Sequence, residues 1–144
     1  MLKVLFVCVH NSARSQMAEE LLRLKSNGKI QVESAGLEPG SLNPFVIKAL
    51  RTIGVDITGK ETKSVFDLYK SGARFHYVVT VCDESNSERC PIFPGALQYL
   101  HWSFTDPSSF TGSDEQKLEQ TCSVMQQIEA NVNEFLDKII NVGE

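Results

Sequence analysis

The sequence lacks the features that would place it in several broad classes. No run of it approaches the roughly 20 consecutive apolar residues that a membrane span needs. Leu2–Val9 is apolar, but it is short, has no charged leader and runs straight into polar residues, so it does not read as a secretory signal. Positive charge is not in excess: 14 Lys and Arg stand against 18 Asp and Glu, a formal net charge of -4. General nucleic-acid binding, which needs a basic face, is therefore not expected. An anionic substrate would have to be drawn by local groups rather than by the overall field. Cysteines are few, four in 144 residues. With no signal, the protein is expected in the cytoplasm, where thiols are reactive, metal-bound or buried rather than paired as staples. No repeat, low-complexity tract or linker divides the chain, so residues 1–144 are expected to form one domain.

What is present alternates between two periodicities. Lys3–Val7 is a near-continuous apolar run of strand formers and reads as a strand buried on both faces. Ser15 to about Ser26 reads as a helix with Met17, Ala18, Leu21 and Leu22 on one side, stopped at Gly28. Ile30–Ser34 alternates as a second strand, after which Ala35-Gly36 is expected to begin a loop. Asn43-Pro44 reads as a cap with proline in the first turn of a helix whose stripe is Val46, Ile47, Leu50 and Ile53. A short helix is expected at Phe66–Lys70, strands at Tyr77–Val81 and Leu97–Trp102, and a long helix over Asp114–Ile140. This order predicts an α/β sandwich on a parallel sheet.

Chemistry is concentrated between the first strand and the first helix, at Cys8–Ser15. The carboxyl end of a strand in an open parallel sheet is where ligands bind. A helix N-terminus adds unpaired N–H groups and a positive dipole end. Cysteine, five residues, then arginine lets the loop curl so that its amides and a planar guanidinium converge on one tetrahedral oxyanion. The same positive surroundings are expected to lower the Cys8 pKa and supply a thiolate. Asn11 tolerates left-handed backbone, and the Ser15 hydroxyl is placed either to donate to the Cys8 sulfur or to cap the helix. His10 either faces the ligand or faces solvent.

Cys82 ends the third strand, on the edge expected to carry Cys8, and Cys90 follows eight residues later. The polar stretch Asp83–Arg89 between them is expected to be mobile, which suits a thiol relay. The pair could instead be incidental. Zinc is disfavoured by the wide spacing and by the lack of a nearby histidine pair. Asp106 is a candidate general acid, although Asp-Pro is also a common turn start. Cys122 falls on the apolar stripe of the last helix and reads as core.

With these residues in place, the sequence resembles the thioredoxin-coupled arsenate reductases, which share the fold of the low-molecular-weight protein tyrosine phosphatases. The likeness rests on Val7–Glu19, Ser34–Gly36, Val78–Cys82, Cys90-Pro91 and His101–Pro107, and spans nearly the whole chain. It implies a three-layer sandwich around a four-stranded parallel sheet. It also implies that arsenate, or phosphate or sulfate as analogues, is cradled by the loop Val9, His10, Asn11, Ser12, Ala13, Arg14 and Ser15. Cys8 would attack arsenic, Asp106 would protonate the leaving hydroxide, and Ser15 would support the thiolate. Cys82 would then attack Cys8 to release arsenite, and Cys90 would attack Cys82, leaving a Cys82–Cys90 disulfide for thioredoxin, the electron donor.

No metal and no tightly bound cofactor are implied, and a monomer is expected. Some members bind potassium through side chains like Asn11, Glu19 and Ser34 plus an aspartate. Here the aspartate's place falls near Lys63-Ser64, so potassium is not counted as a cofactor. The chain also departs from the family at Ala13, where many members carry a further cysteine, and in a Cys82–Cys90 loop about one residue longer than usual. The rival on the same fold, a tyrosine phosphatase, needs Cys8, Arg14 and Asp106 but neither later cysteine. Gln16 stands where those phosphatases carry proline after Arg-Ser. A non-catalytic anion sensor using the same loop is the rival from another class.

Overall fold

The computed structural model describes residues 2–82 and 93–142. Four strands, β1 (Lys3–Cys8), β2 (Gln31–Gly36), β3 (Phe75–Cys82) and β4 (Ala96–Ser103), form one parallel sheet in the order β2-β1-β3-β4. The helices are α1 (Arg14–Lys25), α2 (Pro44–Arg51), α3 (Val65–Lys70) and α4 (Asp114–Val142), with a 3-10 turn at Pro107–Ser109. Helices thus flank a four-stranded parallel sheet, the three-layer arrangement that the resemblance implied.

The period-2 rule of a strand divides the core into two. Val4 and Phe6 of β1 face α1, α2 and α4, together with Val79 and Val81. Leu5 and Val7 face the other way, with Val78, Phe75, Val65 of α3 and Phe93. All four β1 side chains from Val4 to Val7 are fully buried, each contributing roughly 1.5–3 kcal/mol by leaving water. Because β1 is covered on both faces, its sequence reads as an unbroken apolar run rather than an alternation. On α4, the expected stripe is buried at Met125, Ile128 and Val132, while Cys122 is half-buried against the same core.

The chain leaves β1 toward β2 on one side and returns to β3 on the other. The carboxyl ends of β1 and β3 therefore flank the point where strand order reverses, the usual crevice for a ligand in such sheets. Cys8 ends β1 and Cys82 ends β3.

The expected ends of β2 and α2 fail for local reasons. Strand β2 does not stop at Ser34: Ala35 and Gly36 pair with Val7 and Cys8, and the Gly36 N–H donates to the Lys63 carbonyl. Helix α2 ends before Ile53, because the Thr52 hydroxyl takes the Ala49 carbonyl and Gly54 turns the chain at φ 83°. Ile53 still packs on the core from beyond the helix. Helix α1 begins at Arg14 with no side-chain cap, so Ser15 lies inside its first turn rather than capping it.

Candidate active site

Residues Cys8 to Ala13 turn every one of their six carbonyls onto a partner outside the cleft. A strap between β2 and α2 takes four of them. Leu37 N–H donates to Cys8 O at 3.1 Å, Glu38 to Val9 O at 2.7 Å, Gly40 to His10 O at 3.0 Å and Asn43 to Ser12 O at 3.0 Å. The Gln16 side chain takes Asn11 O at 3.0 Å, and Met17 N–H takes Ala13 O at 3.0 Å. A trans peptide points its N–H opposite its C=O, so the strap turns the amides of Val9, His10, Asn11 and Ala13 toward the concave side. Successive inward N–H groups next to a helix N-terminus make an anion-binding nest. Asn11 achieves the turn with φ 55°.

The Cys8 sulfur sits in this nest, 2% exposed as a residue. It receives the Asn11 N–H at 3.0 Å and lies 2.8 Å from the Ser15 hydroxyl. Ser15 in turn accepts from Asn11 Nδ2 at 2.8 Å, so its own proton is free to point at sulfur. The expected lowering of the Cys8 pKa is not what this environment gives. Complete burial pushes the thiol up, and the Ser15 hydroxyl, the Arg14 charge and the two amides pull it down by less. Spacing reveals the positive neighbours but not the desolvation that an enclosed loop imposes.

Arg14 and Asp106 meet over the same cleft, which Cys8, His10, Ser12, Ala13, Arg14 and Asp106 line. Arg14 is 2% exposed, with Nη1 donating to the Phe104 carbonyl at 3.2 Å and Nη2 3.6 Å from Asp106 Oδ2. At that distance the contact is charge attraction rather than a hydrogen bond. Asp106 also caps the 3-10 turn, its Oδ1 accepting the Ser108 N–H at 3.0 Å. The Asp-Pro turn thus holds the Asp106 carboxylate at the cleft. His10 is an exposed rim residue, its Nδ1 2.9 Å from the Glu38 carbonyl.

Behind the loop lies a polar cluster. Asn11 Nδ2 also donates to Ser34 Oγ at 2.9 Å, and Ser34 donates to Glu19 Oε1 at 2.6 Å. Glu19 Oε2 receives Lys60 Nζ at 2.7 Å and Arg23 Nη2 at 2.6 Å. Glu20 Oε1 bridges the same two cations, at 2.9 and 2.7 Å. Asn11 Oδ1 accepts the Lys63 N–H and Gln16 Nε2. Burial would push the Glu19 carboxyl up, yet the Lys60 charge and the hydrogen bonds from Lys60, Ser34 and Arg23 together hold it below its ordinary value.

Cys82 is fully buried and disulfide-bonded, whereas Cys8 and Cys122 are free. Cys90 and the polar stretch Asp83–Arg89 lie outside the described residues. Sequence reasoning did not assign roles to the strap Leu37–Asn43, to Gln16 or to Lys60. The strap acts through backbone atoms, which leave no residue signature, and Lys60 is far from the loop in sequence.

Residues 3–142 match the family model of the low molecular weight phosphotyrosine protein phosphatases. An arsenate reductase of Oceanobacillus iheyensis is 33% identical over 141 residues, covering 98% of this chain and 96% of its own length. A solved arsenate reductase in the phosphate binding state superposes with a TM-score of 0.77 at 30% identity, covering 96% of this chain and 99% of that one. A thioredoxin-dependent arsenate reductase from Corynebacterium glutamicum superposes with a TM-score of 0.59 at 28% identity, over 92% of this chain and 62% of that one. The chain belongs to the low-molecular-weight phosphotyrosine protein phosphatase family, and it matches that family's arsenate reductases over nearly its whole length.

Proposed function

We propose that the protein reduces arsenate to arsenite by a three-cysteine relay recycled by thioredoxin in the cytoplasm. The observation that carries this reading is the placement of a free Cys8 in a nest of inward amides, with Cys82 ending the adjacent strand β3 on the same sheet edge. Adjacent strands lie about 4.8 Å apart, which suits direct exchange between their terminal sulfurs. The arsenate reductases among the relatives support the substrate, and the thioredoxin-dependent one supports the reductant.

The oxyanion binds to the amides and the Arg14 fork. Its dianionic form is itself a base, so it can take the Cys8 proton that burial otherwise retains. Cys8 Sγ then bonds to arsenic while an arsenic–oxygen bond breaks, and the oxygen leaves as water with a proton from Asp106. Arsenic is still pentavalent. Cys82 thiolate attacks Cys8 Sγ, the sulfur–arsenic electron pair passes to arsenic, and arsenite departs from a Cys8–Cys82 disulfide. Cys90 thiolate displaces Cys8 from Cys82. A free Cys8 beside a disulfide-bonded Cys82 is the arrangement this displacement leaves behind. Thioredoxin's dithiol reduces the remaining disulfide. The same loop holds phosphate, so weak phosphatase turnover is an expected side reaction.

Cys8→Ser should abolish arsenite release altogether. Cys90→Ser should release one arsenite per enzyme and then stop, even with excess thioredoxin. Arsenite measured under single- and multiple-turnover conditions tests both, and unchanged cycling in Cys90→Ser would remove the relay from the reading.

A further inference from the structure

The oxygen set that resembles a potassium site in some relatives does not fit potassium here. Glu19 has Oε1 taken by Ser34 and Oε2 taken by Lys60 and Arg23. Ser34 spends its proton on Glu19 and accepts from Asn11. Asn11 directs its amide nitrogen, not its oxygen, toward Ser34, and its Oδ1 is held by the Lys63 N–H and Gln16 Nε2. Lys63 sends its ammonium to Glu33, 3.4 Å away.

We infer that Lys60 is a built-in cation: its ammonium neutralises the acidic cluster behind the oxyanion loop and positions Asn11 through Glu19 and Ser34. The inference rests on the loop being an oxyanion site, as proposed above. The charge count shows why the position matters. Glu19 and Glu20 carry two negative charges, Lys60 and Arg23 two positive ones, and all four are linked. Glu19 is only 3% exposed and Lys60 21%, so solvent screens their attraction poorly. Arg23 is more exposed, at 42%, and reaches the cluster from its outer rim, donating also to the Val32 carbonyl. Removing Lys60 leaves one net negative charge behind a loop whose task is to hold an anion.

It also removes the anchor of a continuous chain of contacts. Lys60 Nζ holds Glu19, Glu19 holds Ser34, and Ser34 holds Asn11 Nδ2, the group that also donates to Ser15. Lys60 touches no loop atom in this chain and is a positioning residue. Its replacement by a side chain without charge should open the same place to an alkali cation from solution, which would restore both the charge and the anchor.

The test is binding of inorganic phosphate to Lys60→Ala, by calorimetry, in choline chloride and in potassium chloride at equal ionic strength. Affinity should fall about tenfold in choline, a change of about 1.4 kcal/mol, and recover most of that loss in potassium. Melting of Lys60→Ala should rise with potassium by mass action, while the wild type responds alike to both salts. Lys60→Arg should rescue affinity without potassium. Unchanged affinity in choline, or a loss that potassium does not restore, overturns the inference. If Lys60→Ala does not fold, Lys60→Gln keeps the bulk and carries the same two readouts. Phosphate binding and melting need neither arsenate turnover nor thioredoxin. A wild type that binds phosphate but fails to reduce arsenate would therefore remove the proposed function and leave this inference standing.

Discussion

Strands β1 and β4 run parallel in one sheet, yet they are built on opposite terms. Val4 to Val7 of β1 are inaccessible on both faces, and the loop that follows has each of its carbonyls tied down. Along β4, by contrast, Leu97 is 79% exposed and Tyr99 53%. What β4 gives the site comes from beyond its carboxyl end: the Phe104 carbonyl that takes Arg14, and Asp106. The contrast teaches that the sulfur proposed as nucleophile follows the most enclosed strand, and the carboxylate proposed as proton donor follows an open one. Enclosure fixes the geometry of Cys8 and raises its thiol at the same time. On the proposed mechanism, the loop trades ready thiolate for preorganised amides and leaves deprotonation to be coupled to the arrival of the anion.

If enclosure is what β1 and its loop depend on, the largest break should come from crowding the loop from behind. Gly36 closes β2 against it, and a Cβ there would meet Asn11 N at 2.8 Å, His10 C at 2.9 Å and Val9 O at 2.9 Å. These are backbone atoms, so Gly36→Ala must displace the loop itself. The expected result is a loss of about 100-fold in arsenate kcat/KM, the order produced by a 1 Å misplacement, with the circular dichroism spectrum retained. A variant with wild-type kinetics would mean that the loop is adaptable and that the contrast with β4 is one of exposure alone.

How far the sequence revealed this contrast differs between its two halves. The unbroken apolar run of Lys3–Val7 and the cysteine-to-arginine spacing are local patterns: the first matches β1, and the second marks a loop whose Cys8 and Arg14 line one cleft. The end of β2 is not legible, because Ala35-Gly36 has turn composition, whereas its conformation is set by pairing with β1 and by contact with Asn11. The carbonyl-holding strap was invisible for a related reason: Leu37, Glu38 and Gly40 act through N–H groups that nearly every residue has. Gln16 stands out in the sequence only as a departure from proline, yet its buried amide holds both Asn11 oxygens. The thiol shift had the wrong sign because spacing reports neighbours and not solvent access.

A smaller break acts on the polar side of the loop and is read as a function of pH. The folded-state pKa of Glu19 lies below its ordinary value of 4.5. The carboxylate therefore contributes stability that is fully present above about 4.5 and is lost as pH falls through the folded value. Melting temperature should accordingly fall on acidification below that point. Glu19→Gln should flatten the acid limb while lowering stability at pH 7 by roughly 2 kcal/mol, below the 3–5 of a fully buried broken pair because Lys60 and Arg23 are partly exposed. Two-state urea unfolding at pH 7 and pH 4 separates these effects. An acid limb that is equally steep in Glu19→Gln would assign it to other carboxylates.

The smallest effect belongs to β4, and it sharpens the comparison by being small. Leu97 loses little water contact on folding, so Leu97→Ser removes little transfer free energy and opens no cavity. The change should stay within about 0.5 kcal/mol of wild type in urea. Single-turnover arsenite release should not change either, because Leu97 lies at the start of the strand and the site lies past its end. A Leu97→Ser variant that melts normally but reacts slowly in a single turnover would show the edge strand setting the position of Asp106. The open strand would then be as tightly coupled to the chemistry as the closed one.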